Sequence, residues 1–228
     1  MFLVDGDVWA SVRLDFATSG EGLRGLKTRN LLPFGCGAGL LIGVLTQIGQ
    51  GVLPGSFNQL ANSGAMWVIV AFVVGRFAAT PVAAGGIGFL ALVGELVGYY
   101  VAAYLELGYP PAWSLVLLWL MVACVGGPLV GWAGWCAVDG RPWQRVVGNG
   151  LIGGVFIGEG LYLLAVVDRA PAGIAWMIGG FLVSALLGWW SGRRLLGVCA
   201  PIAIGAVIFG AFLGLLWLDQ WRAGLVTW

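Results

Sequence analysis

Two glutamates lie inside long uncharged stretches of this chain, and their position makes them the first candidates for chemistry. Glu95 is the only charged residue between Arg76 and Glu106, and Glu159 is the only one within the stretch 146–167. A charged side chain at the centre of a bilayer costs about 2.5–3.5 kcal/mol on insertion scales, so such a residue normally faces a cavity, a partner or a proton path. Both glutamates are therefore candidate ligand-binding residues.

Other polar residues are predicted at a similar depth. At about 1.5 Å per helical residue, Glu95, Glu159 and Gln47 each lie roughly 21–28 Å beyond a basic residue that precedes them. A tyrosine three or four residues after each glutamate shares its helix face. These residues would line one polar pocket in the outer half of a membrane. The predicted substrate-binding residues are Glu95, Glu159, Gln47, Gln50, Asn62, Tyr99 and Tyr162.

The same residues allow two other interpretations. They would form a buried hydrogen-bond network that holds helices together, with the glutamates protonated or bonded to Gln47, Asn62 or a tyrosine. Alternatively, the acids would lie closer to the membrane interface than the residue count suggests.

Motifs for catalysis, metals and cofactors are missing from the sequence. Histidine is absent, which removes His-ligated metals and Ser–His or Cys–His catalysis. Neither a phosphate-binding loop nor a dinucleotide fingerprint occurs. The four cysteines sit in or beside apolar runs without a CxxC pair. We therefore expect no enzyme activity, no cofactor and no metal.

The composition excludes most soluble classes. Of 228 residues, 60% are hydrophobic and 9% are charged, and the mean hydropathy is +0.96. A soluble domain is about 25% charged, so this chain has too few ions to cover a water-exposed surface. A net charge of +1 gives no basic field for a nucleic acid. The sequence predicts a multipass membrane protein whose first partner is the lipid bilayer.

Seven apolar windows, of which two are interrupted only by Glu95 and Glu159, predict the elements that would position the polar residues. The fold class is an all-α membrane protein with seven transmembrane helices, at 31–53, 60–75, 81–105, 113–138, 146–167, 172–190 and 195–218. Residues 1–30 form a cytoplasmic segment, 31–218 the helical bundle and 219–228 a short tail. The acidic residues before position 30 are unlike a signal peptide, so we expect the first helix to stay in the membrane. In an alternative, residues 53–62 re-enter the membrane.

Positive charge predicts the orientation. With the N-terminus inside, nine Lys and Arg residues fall on the inner side, whereas only Arg169 and Arg222 fall on the outer side. We therefore expect a bacterial inner-membrane protein with its N-terminus inside and its C-terminus outside.

A short pattern recurs along the chain. Gly75-Arg76 precedes Gly94-Glu95, and Gly140-Arg141 precedes Gly158-Glu159, with Arg-to-Glu separations of 19 and 18. This predicts one helix plus three parallel two-helix units, as in transporters built from repeats; chance recurrence is the alternative. Glycines at helical spacing predict close helix packing within a monomer, with a dimer face or a close backbone approach to a ligand as the alternatives.

The sequence resembles a family of small multipass membrane proteins of unknown function from high-GC bacteria. The resemblance covers most of residues 31–218 and rests on LPGS at 53–56, NSGA at 62–65, GR at 75–76 and GELVGYY at 94–100. It implies a membrane protein and no particular substrate. The glycine-rich helices are also similar, at the level of fold, to substrate-binding subunits of energy-coupling-factor importers.

Three functions compete. The polar layer and the repeat favour a small-solute permease or a membrane-embedded substrate-binding subunit with a small-molecule ligand. The glycine ridges and short loops favour a non-catalytic scaffold or accessory subunit of a larger membrane complex, with a membrane-protein partner or a second copy of the chain. A membrane enzyme is the third, without a motif to support it.

Overall fold

The described chain is helical throughout. The structure is a computed structural model and describes residues 28–54, 57–61, 63–108, 110, 112–189 and 194–222. Within these ranges there are no strands, which confirms the all-α prediction. The helices are α1 Thr28–Val52, α2 Asn58–Ala61, α3 Gly64–Gly75, α4 Pro81–Leu107, α5 Trp113–Asp139, α6 Pro142–Ala165, α7 Ala170–Trp189 and α8 Arg194–Arg222. Nearly all of the predicted segment 1–30, and the end of the predicted tail, lie outside the described residues.

Five of these helices are long and apolar enough to cross a membrane: α1, α4, α5, α6 and α7. Two shorter apolar stretches, Gly64–Gly75 and Cys199–Ala211, lie in α3 and α8. Large apolar side chains cover the outside of the bundle, including Leu105 at 77% and Val207 at 73% exposure. This surface indicates a membrane-spanning protein, because water would penalise so much exposed apolar area. The count of seven spans stays a prediction.

Local chemistry sets several helix ends. The Thr80 hydroxyl accepts a hydrogen bond from the backbone N–H of Ala83, and Pro81 occupies the first turn of α4, where its missing N–H costs nothing. Gly108 ends α4 with φ at 70°, a left-handed conformation that favours glycine. The Ser63 hydroxyl accepts from the backbone N–H of Met66 and caps α3.

Glycines bring α1 and α4 into backbone contact. A methyl group on Gly39 would overlap the carbonyl oxygen of Ala91, and one on Gly43 would overlap that of Glu95. The residue numbers of both helices increase in the same direction along this interface. The two helices therefore run parallel, although α2 and α3 lie between them in the chain. Such small-residue faces let helices approach where lipid supplies no hydrophobic drive.

The second half of the bundle repeats this device around α6. A methyl group on Gly154 would contact Ile204 of α8, and one on Gly158 would contact Ile208, so these helices also run parallel. On the other side, Gly160 meets Gly173 at the start of α7. The glycines at helical spacing thus serve packing within one chain.

The bundle has two distinct ends. We call one the Arg76 end. There α3 ends, and the backbone of Arg76 lies beside Gly134 of α5. We call the opposite one the Tyr99 end, where Tyr99 of α4 contacts Trp67 near the start of α3. The candidate site lies at the Tyr99 end.

Candidate functional site

A cavity of about 310 Å³ lies between α3, α4 and α5 at the Tyr99 end; we call it the aromatic cavity. Trp67 is one of its lining residues, and its ring centroid lies 5.6 Å from that of Tyr99 and 6.3 Å from that of Trp119. Its lining residues are Gln50, Ala61, Ser63, Gly64, Trp67, Val68, Leu92, Leu96, Tyr99, Tyr100, Leu115, Trp119, Val122 and Ala123. The walls are therefore mainly apolar and aromatic, with a few polar groups, as in small-molecule sites.

A hydrogen-bonded pair separates this cavity from a second one. The Tyr99 hydroxyl donates to Gln50 Oε1 at 3.0 Å, and Gln50 Nε2 donates to the carbonyl of Ala61 at 3.3 Å. The second cavity, of about 230 Å³, is the vestibule; it is lined by Gln47, Gln50, Tyr99, Tyr100, Ala103, Tyr104, Leu107 and Pro110. Because Gln50, Tyr99 and Tyr100 line both spaces, they form the partition between them.

The short helix α2 holds Gln50 in place. Asn58 donates from its side-chain amide to the backbone carbonyl of Gln50 at 2.7 Å, which satisfies a carbonyl at the last turn of α1. The amide of Gln50 itself bonds to Ala61 at the other end of α2. Residues 57–61 thus fold back over the end of α1 and carry the chain to α3.

Glu159 caps α3 from the neighbouring helix α6. Its Oε2 accepts from the backbone N–H of Ala65 at 2.7 Å and from the Ser63 hydroxyl at 3.0 Å. The Ser63 hydroxyl in turn accepts from Nε1 of Trp176 on α7 at 2.9 Å. An acidic group at a helix N-terminus meets free N–H groups and the positive end of the helix dipole. Glu159 therefore ties α3, α6 and α7 together beneath the floor of the aromatic cavity.

Glu95 has the opposite environment. Its side chain is fully buried, and neither carboxyl oxygen has a hydrogen-bond partner among the residues that the structure describes. Its backbone forms part of the tight contact with Gly39 and Gly43 of α1. Burying a polar group without a hydrogen-bond partner is costly, so Glu95 stands out as a buried group that the described contacts do not satisfy.

Gln47 pairs with a glutamate that the sequence analysis did not select. Its Nε2 donates to Oε2 of Glu106 at 3.1 Å, near the end of α4. Glu106 is exposed and lies eleven residues beyond Glu95. Gln47 therefore turns toward the end of the bundle and away from the level of Glu95.

The structure distributes the predicted site residues over several environments. Gln50 and Tyr99 line the aromatic cavity and, with Gln47, the vestibule. Neither of these cavities is lined by Glu95 or Glu159, so the expected pocket shared by both acids is not found there. The physical reason is that residue counting gives depth along a helix but not the direction in which a side chain leaves it: Glu159 turns to the start of α3, and Glu95 is buried without lining either cavity. Tyr162 is half-buried on the last turns of α6, and Asn62 lies outside the described residues.

Sequence reasoning missed the aromatic walls. Trp67, Trp119 and Tyr100 line the cavity, and the Ser63 hydroxyl joins its floor to Glu159. Tryptophans near span ends fit an interfacial belt, whereas Trp67 and Trp119 lie inside apolar windows. Their position away from the predicted span ends was the available sequence signal that Trp67 and Trp119 line a cavity and do not belong to the belt. In the described part of the chain, no three Asp, Glu, His or Cys side chains group as metal ligands would.

A comparison with known protein families gives one match. The model of a family of unknown function, DUF6518, matches residues 25–221. This confirms the predicted resemblance to a family without an assigned role, while the similarity to energy-coupling-factor subunits stays a prediction. No curated protein and no solved structure matches the chain.

Proposed function

This chain belongs to the DUF6518 family of unknown function. We propose that it binds a small solute in the aromatic cavity, as a permease or a membrane-embedded substrate-binding subunit. The observation that carries the proposal is the cavity itself. Its volume falls at the lower end of the range for ligand pockets, about 300–1,000 Å³, and the neighbouring rings of Trp67, Tyr99 and Trp119 line it.

The proposed orientation places the cavity in the outer half of the bacterial inner membrane, with seven spans. Arg76, Arg141 and Arg145 belong to the Arg76 end, whereas Arg169 follows α6 at the Tyr99 end and donates to Gln59 at 3.2 Å. This distribution supports a cytoplasmic Arg76 end by the positive-inside rule. The vestibule would then lie on the outer side of the pair formed by Gln50 and Tyr99.

A cavity-filling substitution tests the proposal. Val68 and Val70 are both half-buried on α3, but only Val68 lines the cavity. We expect Val68→Phe to abolish ligand-induced thermal stabilisation of the purified protein in a screen of vitamins, small amines and neutral aromatic compounds. Val70→Phe is the matched control and should preserve it. If no compound stabilises the wild-type protein, or if both variants respond alike, the proposal is wrong.

The scaffold function is the alternative, and the glycine contacts favour it. Backbone-to-backbone packing of α1 on α4, and of α6 on α7, leaves little room for helices to slide during transport. Co-purification from native membranes distinguishes the two functions. A scaffold should bring the same membrane protein with both Val68→Phe and wild-type chains, since its contacts lie outside the cavity.

A further inference from the structure

We propose that the ligand of the aromatic cavity is an uncharged, planar aromatic molecule with carbonyl or ring-nitrogen acceptors, which enters from the lipid. The inference rests on the proposed binding function and adds the chemical class and the route. It uses three properties of the walls: their charge, their free hydrogen-bonding groups and their exposure.

The first property is the absence of charge. None of the described lining residues of the aromatic cavity is acidic or basic. Glu159 lies beside the floor, where a methyl group on Gly64 would be 3.8 Å from its Oε2, but this oxygen is already bonded to Ala65 and Ser63. An anionic ligand would lose its hydration without gaining an opposite charge, so the cavity selects against anions, and a cation would find no carboxylate among the described lining residues.

The second property is an excess of donors. The indole N–H groups of Trp67 and Trp119 and the hydroxyl of Tyr100 have no hydrogen-bond partner among the described residues, and the Gln50 amide keeps a second N–H. The Ser63 hydroxyl, by contrast, is occupied on both sides. A ligand that presents acceptors and no charge matches this set.

The third property is an apolar side that is open. Leu115, Trp119 and Val122 of α5 line the cavity and are 51%, 40% and 42% exposed, and Met121 between them, which does not line the cavity, is 62% exposed. The wall formed by α5 is therefore also part of the lipid-facing surface. Flat rings stack on tryptophan and tyrosine, and a neutral aromatic molecule dissolves in lipid, so this side provides its entry.

Anthraquinone is a suitable probe, because it is planar, neutral and carries two carbonyl acceptors. We expect it to quench tryptophan fluorescence of the full chain in phosphatidylcholine nanodiscs with saturable binding. Anthraquinone-2-sulfonate, which adds one negative charge, should bind at least tenfold more weakly, and so should the aliphatic alcohol decanol. Trp67→Leu should weaken anthraquinone binding about tenfold through the lost stacking, and Trp67→Phe should weaken it less. Trp143→Leu, at the exposed start of α6, should leave binding unchanged.

Several results would overturn the assignment. If the sulfonate or decanol binds as well as anthraquinone, and Val68→Phe still blocks it, the ligand class is wrong while the binding function stands. If a phospholipid copurifies with wild type but not with Val68→Phe, an acyl chain fills the cavity and the class is again wrong. If nothing binds and Val68→Phe changes no measurement, both proposals fail.

Discussion

Glu159 should be the most costly single carboxyl to remove from this protein. Replacement by alanine deletes two interhelical hydrogen bonds, from Ala65 and from Ser63. Such bonds contribute about 0.6 kcal/mol on average and up to about 1.7 kcal/mol in membrane proteins. The loss of an acidic group at the start of α3 adds about 0.5 kcal/mol. We therefore expect Glu159→Ala to lower the free energy of unfolding by about 2–4 kcal/mol.

The assay is reversible unfolding in mixed micelles with increasing dodecyl sulfate, followed by circular dichroism. Glu159→Gln retains an acceptor oxygen and should cost only about 1 kcal/mol. Asp168→Asn removes the charge of an exposed carboxylate, keeps a residue that tolerates the left-handed backbone at this position (φ 56°), and is the control, with an expected change below about 0.5 kcal/mol.

A double-mutant cycle isolates the cap itself. Ser63→Ala and Glu159→Ala both remove the bond between these two side chains, so the double variant should be about 1 kcal/mol more stable than the sum of the single changes predicts. Additive effects, or a Glu159→Ala loss below about 0.5 kcal/mol, would refute the account of α3 as a helix capped from α6.

Three further predictions concern α1 and α4. Gly43→Ala forces a methyl group into the α4 backbone and should lower the free energy of unfolding by about 1–3 kcal/mol in the same assay. Gly37→Ala, with open space around it, should leave that free energy unchanged or raise it slightly. Equal effects of the two substitutions would contradict the close packing of α1 on α4. Glu95→Met replaces an unpartnered buried carboxyl with an apolar group of similar size and should raise the free energy of unfolding. The same variant should weaken any proton-coupled uptake, which is measured in proteoliposomes with a pH gradient. A strongly destabilised variant would reveal a partner of Glu95. Tyr99→Phe opens the partition toward the vestibule but leaves the α5 wall intact, so it should leave the rate of anthraquinone association in stopped-flow quenching unchanged, as should Tyr104→Phe in the vestibule alone; faster association in Tyr99→Phe would show that the ligand enters through the vestibule and not from the lipid.

Helix positions were predictable because their causes are local. Pro81 after Thr80 and Gly108 after an apolar run mark the ends of α4 by propensities that need no partner, and the observed end lies two residues beyond the predicted one. The start of α6 was missed by four residues, since Arg141 and Arg145 suggested a loop. Pro142 begins the helix there because the backbone N–H of Arg141 is satisfied by the side chain of Gln144 at 2.7 Å.

The site was less predictable because its contacts are distant in sequence. Glu159 finds Ala65 at a separation of 94 residues, and Tyr99 finds Gln50 at 49. Hydrophobicity indicates that a polar side chain avoids lipid, but it does not indicate which neighbouring helix the side chain will face. The rotation of each helix depends on glycine contacts such as Gly43 with Glu95, which only the assembled bundle defines.

The parallel contact of α1 with α4 also constrains how the protein is made. Gly43 meets the backbone of Glu95, which is synthesised 95 − 43 = 52 residues later. At about 5–20 residues per second, the glycine face of α1 waits roughly 3–10 s in the membrane before its partner emerges from the ribosome. During that interval α2 and α3 leave the translocation machinery first. The glycine face of α1 must therefore stay free of contacts with them and with other nascent helices. Assembly of this half of the bundle therefore awaits the insertion of α4.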